Sequence, residues 1–212
     1  GTLENRARFV LEIYREIRRQ VGADYPVGIK INSADFQRGG FTEEESMKVI
    51  QLLGNEGMDL IEISGGTYER PAMIKGNRKK STEEREVYFL EYIEKARKLT
   101  KTPLLLTGGF RSVSVMEGAL ASGKLDVVGL ARPFCLYPAL ANQIFEGSVE
   151  KFEAPIPRIG IKFLDKLGGV ELPWYELQIQ RIGKGKQPKK SLPGILAFWF
   201  SLKSLFVKSF WK

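Results

Sequence analysis

Strands and helices alternate along the first 150 residues, and this alternation restricts the fold more than any other feature of the sequence. Apolar runs with the character of buried strands cover residues 25–31, 59–63, 103–106 and 125–130. Stretches with helical spacing surround them, at 3–19, from 42 to about 55, from 81 to about 96, and at 113–121 and 138–145. Apolar strands joined by helices form a parallel sheet with covered faces, so the sequence predicts an α/β protein.

The number of strands leaves the architecture open. Four parallel strands are compatible with a small doubly wound sheet or with half of a (β/α)₈ barrel, which needs eight. After about Gly147 the alternation stops. We therefore divide the chain into a strand–helix region at 1–150, an irregular extension with a basic linker at 151–190, and an amphipathic tail helix at 191–212. Within the extension, 172–182 has the spacing of a short helix.

Composition excludes several kinds of site. The 212 residues include one cysteine, Cys135, and no histidine, so neither a disulfide framework nor a thiolate or histidine metal site is expected. Histidine-based catalytic triads are excluded for the same reason. The first 19 residues are polar and periodic, which does not suit a signal peptide, and a cytoplasmic location is expected.

The basic charge is unevenly distributed. The net charge is +8 and the pI is about 9.5, a balance that attracts phosphates, nucleic acids or anionic membranes. Much of the basic excess lies beyond Lys151, while the strand–helix region is closer to balanced. We therefore expect a basic tail and no nucleic-acid binding.

The tail itself, residues 195–212, is rich in aromatic residues. On a helix it would carry one polar stripe, formed by Ala197, Ser201, Ser204, Lys208 and Lys212. A helix with tryptophans and lysines suits contact with a membrane surface, although it is too short and too basic to predict a membrane span. A helix packed on the barrel or across a dimer is an equally good interpretation.

Two glycine-containing turns follow the last two predicted strands. The first is Leu106–Arg111 (LTGGFR) and the second is Gly129–Phe134 (GLARPF). Paired glycines let a backbone approach an anion, and an arginine adds a donor with fork geometry. Either motif alone is more often an ordinary turn or a solvated arginine, but two motifs on successive strand ends favour a phosphate site.

Lys30 interrupts the otherwise apolar predicted strand at 25–31. A buried lysine is costly unless it meets an anion, so one interpretation is a cation beside the electron-rich edge of a bound ring. The alternative is a lysine at the strand end whose amine extends to water.

Several segments together resemble one family. Gly1–Phe9 (GTLENRARF), Leu106–Arg111 and Asp126–Pro133 (DVVGLARP) resemble the old yellow enzyme family of NADH:flavin oxidoreductases, and Glu62–Glu69 (EISGGTYE) resembles one branch of it. The resemblance covers about the first 147 residues. It implies a (β/α)₈ barrel, of which this chain holds about the last four βα units plus a carboxy-terminal helical extension.

The resemblance also implies a non-covalently bound FMN. The residues at its cofactor-binding positions are Lys30, Gly108, Gly109, Ala131 and Arg132. Lys30 stands where the family usually has an arginine near the flavin pyrimidine edge, so the charge is kept and the fork is lost. Ala131 replaces the usual glycine but still offers a backbone N–H.

The activity implied is that of an ene-reductase, in which hydride passes from NAD(P)H through FMN to an activated alkene such as an enone or enoate. In this family the first four strands supply the substrate-holding residues and the tyrosine proton donor. We therefore assign no catalytic residue here. Tyr68 is interpreted as a packing or lid residue, and Asp59, Glu62 and Glu69 as solvated carboxylates.

Two other functions stay open. One is a phosphate-binding barrel enzyme without flavin, for which Lys30 is the only candidate catalytic residue. The other is a non-catalytic half-barrel that serves as an interaction module. An open parallel half-sheet exposes its edges, so homo-oligomers or aggregates of the chain alone are also expected.

Overall fold

The computed structural model describes residues 1–35, 37–64, 90–161, 163, 165 and 170–209. They divide into two compact units, Gly1–Gly129 and Leu130–Lys212. The predicted capping box at Ser81–Glu84 and the residues Tyr68 and Glu69 lie outside the described residues.

The first unit alternates helices with four strands. The strands are β1 (Gly28–Asn32), β2 (Leu60–Ser64), β3 (Leu104–Thr107) and β4 (Val127–Gly129). The helices are α1 (Leu3–Val21), α2 (Glu43–Asn55), α3 (helical at 90–97) and α4 (Val113–Ala121). All strand pairs are parallel and the sheet order is β1-β2-β3-β4. This order confirms the predicted parallel sheet, although β4 is shorter than the run at 125–130 suggested.

The two faces of the sheet differ in burial. Ile61, Ile63, Leu104 and Leu106 are almost completely buried. The side chains that alternate with them are less covered, and on β4 Val127 is 41% exposed. Continuous apolar strands predicted two buried faces, whereas in the described part of the chain only one face is deeply buried. That asymmetry is the one expected of a barrel half, whose inner face is completed by other strands.

Local sequence signals fix the start of α2 and its attachment to the sheet. Thr42 Oγ1 accepts a hydrogen bond from the Glu45 N–H at 3.2 Å, and the Glu45 carboxylate accepts from the Thr42 N–H, so the predicted capping box is present. Ser46 Oγ donates to the Asn32 carbonyl at 2.8 Å and bonds the Tyr92 hydroxyl at 2.6 Å. One buried hydroxyl thereby connects α2 to β1 and α3.

The second unit has its own small core. Its elements are a 3₁₀ helix (Arg132–Cys135), α5 (Leu140–Phe145), α6 (Glu171–Gly183) and α7 (Gly194–Ser209). Trp174 and Ala197 are at the centre of a cluster with Leu136, Val170 and Tyr175. The helices predicted at 172–182 and in the tail are confirmed, and α5 begins two residues later than predicted. Among the described helices, none is long and apolar enough to cross a membrane.

The predicted linker between α6 and α7 folds back on α6. The Gln178 side chain is fully buried, and its amide donates to the Lys189 carbonyl at 2.9 Å and accepts from the Lys189 N–H at 2.8 Å. Trp174 Nε1 also donates to the Leu192 carbonyl at 2.8 Å. Side chains of α6 therefore determine the path by which the chain returns to α7.

Packing at Gly54 gives a test of this fold. A methyl group there would lie 2.2 Å from Thr100 Oγ1, whereas one at Gly118, in α4, would meet nothing within 4 Å. We expect Gly54→Ala to lower the free energy of unfolding by about 1–3 kcal/mol because the site is overpacked. Gly118→Ala should raise it by about 0.5–1 kcal/mol because alanine favours the helix. Urea denaturation followed by circular dichroism measures both, and equal stability of the two variants would contradict the packing described.

Candidate functional site

Strands β1, β2 and β3 are connected through one carboxylate oxygen. Lys30 and Glu62 are register partners on neighbouring strands, and Lys30 Nζ donates to Glu62 Oε1. Thr107 Oγ1 donates to the same oxygen at 2.7 Å. The Lys30 side chain is 54% exposed, so its amine is neither deeply buried nor simply solvated. A cation thus lies midway along β1 and is held by an ion pair with the neighbouring strand.

Glu62 remains ionised in this setting. Partial burial acts to raise the pKa of its carboxyl, but the hydrogen bonds from Lys30 and Thr107, with the charge of Lys30, together hold the pKa below its usual value. The expectation of a solvated Glu62 is therefore wrong. Asp59 forms no carboxylate pair with it, since Asp59 accepts from the Val27 N–H at 2.7 Å and pairs with Arg18.

Gly129 provides the space that the Thr107 contact needs. The two residues are register partners on β4 and β3. A Cβ atom at Gly129 would lie 2.1 Å from Thr107 Oγ1. A larger residue would therefore displace the hydroxyl that bonds Glu62. The sequence predicted this glycine as part of a turn motif. The space that it leaves for Thr107 depends instead on the register of the two strands.

Gly108 and Gly109 follow β3 in a conformation that favours glycine. Their φ angles are 100° and 84°, both in the left-handed region. The Gly108 N–H donates to the Gly129 carbonyl at 3.2 Å, so it is already used within the unit. The Gly109 N–H has no acceptor among the described residues. Of the two predicted residues, Gly109 is therefore the one that offers a backbone donor.

Ala131 and Arg132 belong to the second unit. Ala131 has φ −115°, which any L residue can adopt, so the alanine in place of the family's glycine introduces no backbone strain. It precedes the 3₁₀ helix that Arg132 begins and that contains Pro133 in its first turn. Arg132 Nη1 donates to Glu171 Oε1, at the start of α6. Sequence reasoning missed Glu171, and its only signal was an acidic residue in a first helical turn.

Other reactive groups are sparse in the described part of the chain. It contains no group of three or more His, Cys, Asp or Glu side chains that could hold a metal. Burial raises the pKa of the Cys135 thiol, so a thiolate nucleophile is disfavoured there. Among the predicted cofactor-binding residues, the described chemistry therefore consists of two paired cations, Lys30 and Arg132, and a backbone donor at Gly109.

The chain is similar to known proteins over most of its length. The model of the NADH:flavin oxidoreductase / NADH oxidase family matches residues 1–150. The chain is 41% identical over 160 residues to the NADH-dependent flavin oxidoreductase iccE of Talaromyces variabilis, covering 71% of this chain and 38% of that protein.

Solved structures give the same result. A 2-naphthoyl-CoA reductase in complex with 2-naphthoyl-CoA is 34% identical, with a TM-score of 0.62, over 69% of this chain and 22% of that one. The old yellow enzyme homologue from Zymomonas mobilis is 19% identical, with a TM-score of 0.51, over 71% and 39% respectively, a likeness of fold alone.

The chain spans less than half the length of each of these proteins. The likeness of fold and the four parallel strands confirm the expectation of a partial (β/α)₈ barrel. The expected flavin and NADH are confirmed at the level of the family. With its match over residues 1–150, the chain belongs to the NADH:flavin oxidoreductase / NADH oxidase family.

Proposed function

We propose that the whole protein is an FMN-dependent NAD(P)H oxidoreductase that delivers hydride to an activated alkene, and that this chain holds the FMN-phosphate side of the site. The observation that carries the proposal is the turn after β3. Gly108 and Gly109 both have positive φ there, in a chain that belongs to a flavin oxidoreductase family. Such a turn lets a phosphate approach the backbone without meeting a side chain.

The donors present suit FMN. Its phosphate needs N–H donors and positive charge, and Gly109 and Arg132 offer both. The pyrimidine edge of its ring system is electron-rich, and Lys30 offers a cation midway along β1. Glu62 and Thr107 limit the motion of Lys30, so the cation is oriented before a ligand arrives.

The residues of this chain bind and orient rather than react. FMN, when bound, accepts hydride from NAD(P)H and passes it to the β-carbon of the alkene while a proton reaches the α-carbon. In the first unit the Gly109 N–H would donate to the phosphate, and in the second unit Arg132 is the charged donor that the family resemblance predicts for it. Lys30 would favour negative charge at the pyrimidine edge, held in place by Glu62. We assign no proton donor to this chain.

Two alternatives have less support. A flavin-free barrel enzyme would need Lys30 as an amine nucleophile, yet Lys30 is about half exposed and paired with Glu62, whereas such lysines are usually desolvated. A non-catalytic half-barrel offers no reason for the adjacent positive-φ glycines and the positioned cations. Both alternatives are also less compatible with membership in an oxidoreductase family.

Titration with FMN, followed by flavin fluorescence, tests the proposal. We expect saturable binding that inorganic phosphate weakens. Arg132→Ala should reduce the affinity roughly 10- to 100-fold, since hydrogen bonds to charged groups contribute about 1.5–3 kcal/mol. Arg158→Ala removes the same charge from an exposed position in the same unit and should leave the affinity unchanged.

If the 212-residue chain does not bind FMN, the titration is repeated on a protein extended upstream. Failure of that longer protein to bind FMN would contradict the proposal. FMN binding that neither inorganic phosphate nor Arg132→Ala weakens would show that the FMN phosphate lies elsewhere.

We also propose that the chain forms homo-oligomers. β1 and β4 are the outer strands of the four-stranded sheet, and parallel edges with unpaired backbone groups associate readily. Light scattering on the purified chain should report a dimer or larger species, because association covers these edges. A monodisperse monomer would contradict this.

A membrane-surface contact through 195–212 is a third proposal, favoured by the orientation of α7. Ala197, the first member of the predicted polar stripe, is fully buried in the core of the second unit. Leu196 and Trp199 are 47% and 62% exposed, and Lys203 is exposed beside them. The described part of the helix thus turns apolar side chains outward and small ones inward.

Charge near this face supports an anionic bilayer as the partner. From Leu177 to Lys212 the chain has eight lysines and arginines and no acidic residue. Lys184, Lys186, Lys189 and Lys190, between α6 and α7, are all exposed. Each lysine near an anionic surface contributes about 1 kcal/mol to the free energy of membrane binding, and exposed tryptophans insert at the headgroup level.

Co-sedimentation with lipid vesicles tests this contact. We expect binding to vesicles rich in phosphatidylserine but not to vesicles of phosphatidylcholine alone. Binding should shift tryptophan emission to the blue, and added salt should weaken the binding. Trp199→Ser should reduce binding and remove the shift. Phe145→Ser, at another exposed apolar residue of the same unit, should do neither. Equal binding to both lipids, or none, would contradict the contact.

A further inference from the structure

The acidic partner of Arg132 has no part in the function proposed above. Glu171 lies at the start of α6, and its Oε1 accepts a hydrogen bond from Arg132 Nη1. The Glu171 side chain is only 10% exposed and that of Arg132 is 24% exposed. The pair is therefore among the least exposed ion pairs in the described part of the chain.

The second oxygen of Glu171 lacks a donor. Glu171 Oε2 is buried and has no hydrogen-bond partner among the described residues. A buried carboxylate is costly unless it is paired, so the guanidinium of Arg132 is its main compensation. The amino-terminal end of α6 adds a favourable dipole, because negative charge is stabilised in a first helical turn. Both the guanidinium and the helix end thus favour the position of the Glu171 side chain next to Arg132.

We infer that Glu171 competes with the cofactor phosphate for Arg132, so that the start of α6 regulates cofactor binding. The inference rests on the proposed function, in which Arg132 binds that phosphate. A phosphate would bring about −1.5 to −2 charges to a guanidinium that already faces a carboxylate. Glu171 Oε1 takes one of the five N–H donors of that guanidinium. A phosphate at Arg132 would therefore lie beside a carboxylate of the same charge, and each anion weakens the binding of the other.

Linkage makes the competition reciprocal. If Glu171 weakens phosphate binding, bound phosphate must weaken the contact between Arg132 and Glu171 by the same factor. The first turn of α6 begins after Val170, which provides no side-chain cap. Loss of the Arg132 contact should therefore loosen this turn, and hydrogen exchange of its backbone amides should speed up when phosphate binds.

The test compares Glu171→Gln with the native 212-residue chain. Glutamine keeps the size of the side chain and removes its charge, so FMN should bind about tenfold more tightly, a typical coupling between two sites. Riboflavin, which lacks the phosphate, should bind equally to both. Glu176→Gln removes the same charge from an exposed position on the same helix and should not change FMN affinity.

Further variants make the result specific. The gain should vanish when Arg132→Ala is combined with Glu171→Gln, because the two side chains act through each other. Glu171→Asp draws the carboxylate back by one methylene and should give an intermediate affinity, which keeps the test valid if the glutamine variant does not fold. Unchanged or weaker FMN binding by the folded variants would overturn the inference.

Inorganic phosphate separates this inference from the proposed function. Inorganic phosphate should raise the Tm of Glu171→Gln more than it raises the Tm of the native chain. It should leave the Tm of Arg132→Ala unchanged. Neither expectation depends on whether FMN binds. A phosphate effect of this kind, with no FMN binding by this chain or by the protein extended upstream, would leave the competition standing and count against the flavin function. The absence of any difference in phosphate response would overturn the competition.

Discussion

The parallel register between β2 and β3 determines where the candidate site of the first unit can form. Ile61 lies beside Leu104 and Ile63 beside Leu106, and burial of these four side chains fixes one face of the sheet against solvent. Since side chains alternate between faces, Glu62 must project from the other face. A shift of the β2–β3 register by one residue would bury Glu62 and expose an isoleucine. One strand pairing therefore determines both the buried apolar side chains and the exposed polar ones.

Much of this organisation could be predicted from the sequence. Apolar runs and helical spacing identified all four strands and the helices of the extension, because these signals are local. The capping box at Thr42 and the presence of a turn at the glycine pair after β3 were also predicted correctly, since each depends on neighbouring residues. β4 was predicted too long because apolar residues at a strand end resemble strand residues whether or not they pair.

The contacts of the site could not be predicted in the same way. Glu62 meets Lys30 and Thr107 across 32 and 45 residues of chain, and Arg132 meets Glu171 across 39. Such pairs are set by strand register and helix packing, for which one sequence has no direct signal. The tail shows a second limit of prediction from sequence. The polar pattern predicted that Ala197 faces water, whereas its small side chain is buried in the core of the second unit. Both predicted cofactor cations consequently have acidic neighbours that composition alone did not reveal.

The buried amide of Gln178 has a consequence for how this protein can vary. It donates to the carbonyl of Lys189 and accepts from the N–H of Lys189, so it satisfies both backbone groups as a neighbouring β-strand would. The path into α7 is therefore set at Lys189 and at Gln187, whose carbonyl accepts from the Arg181 guanidinium, while residues 184–186 form an exposed turn. Lengthening a surface turn is cheap in entropy, so insertions at 184–186 should accumulate in related sequences while Gln178 keeps its place.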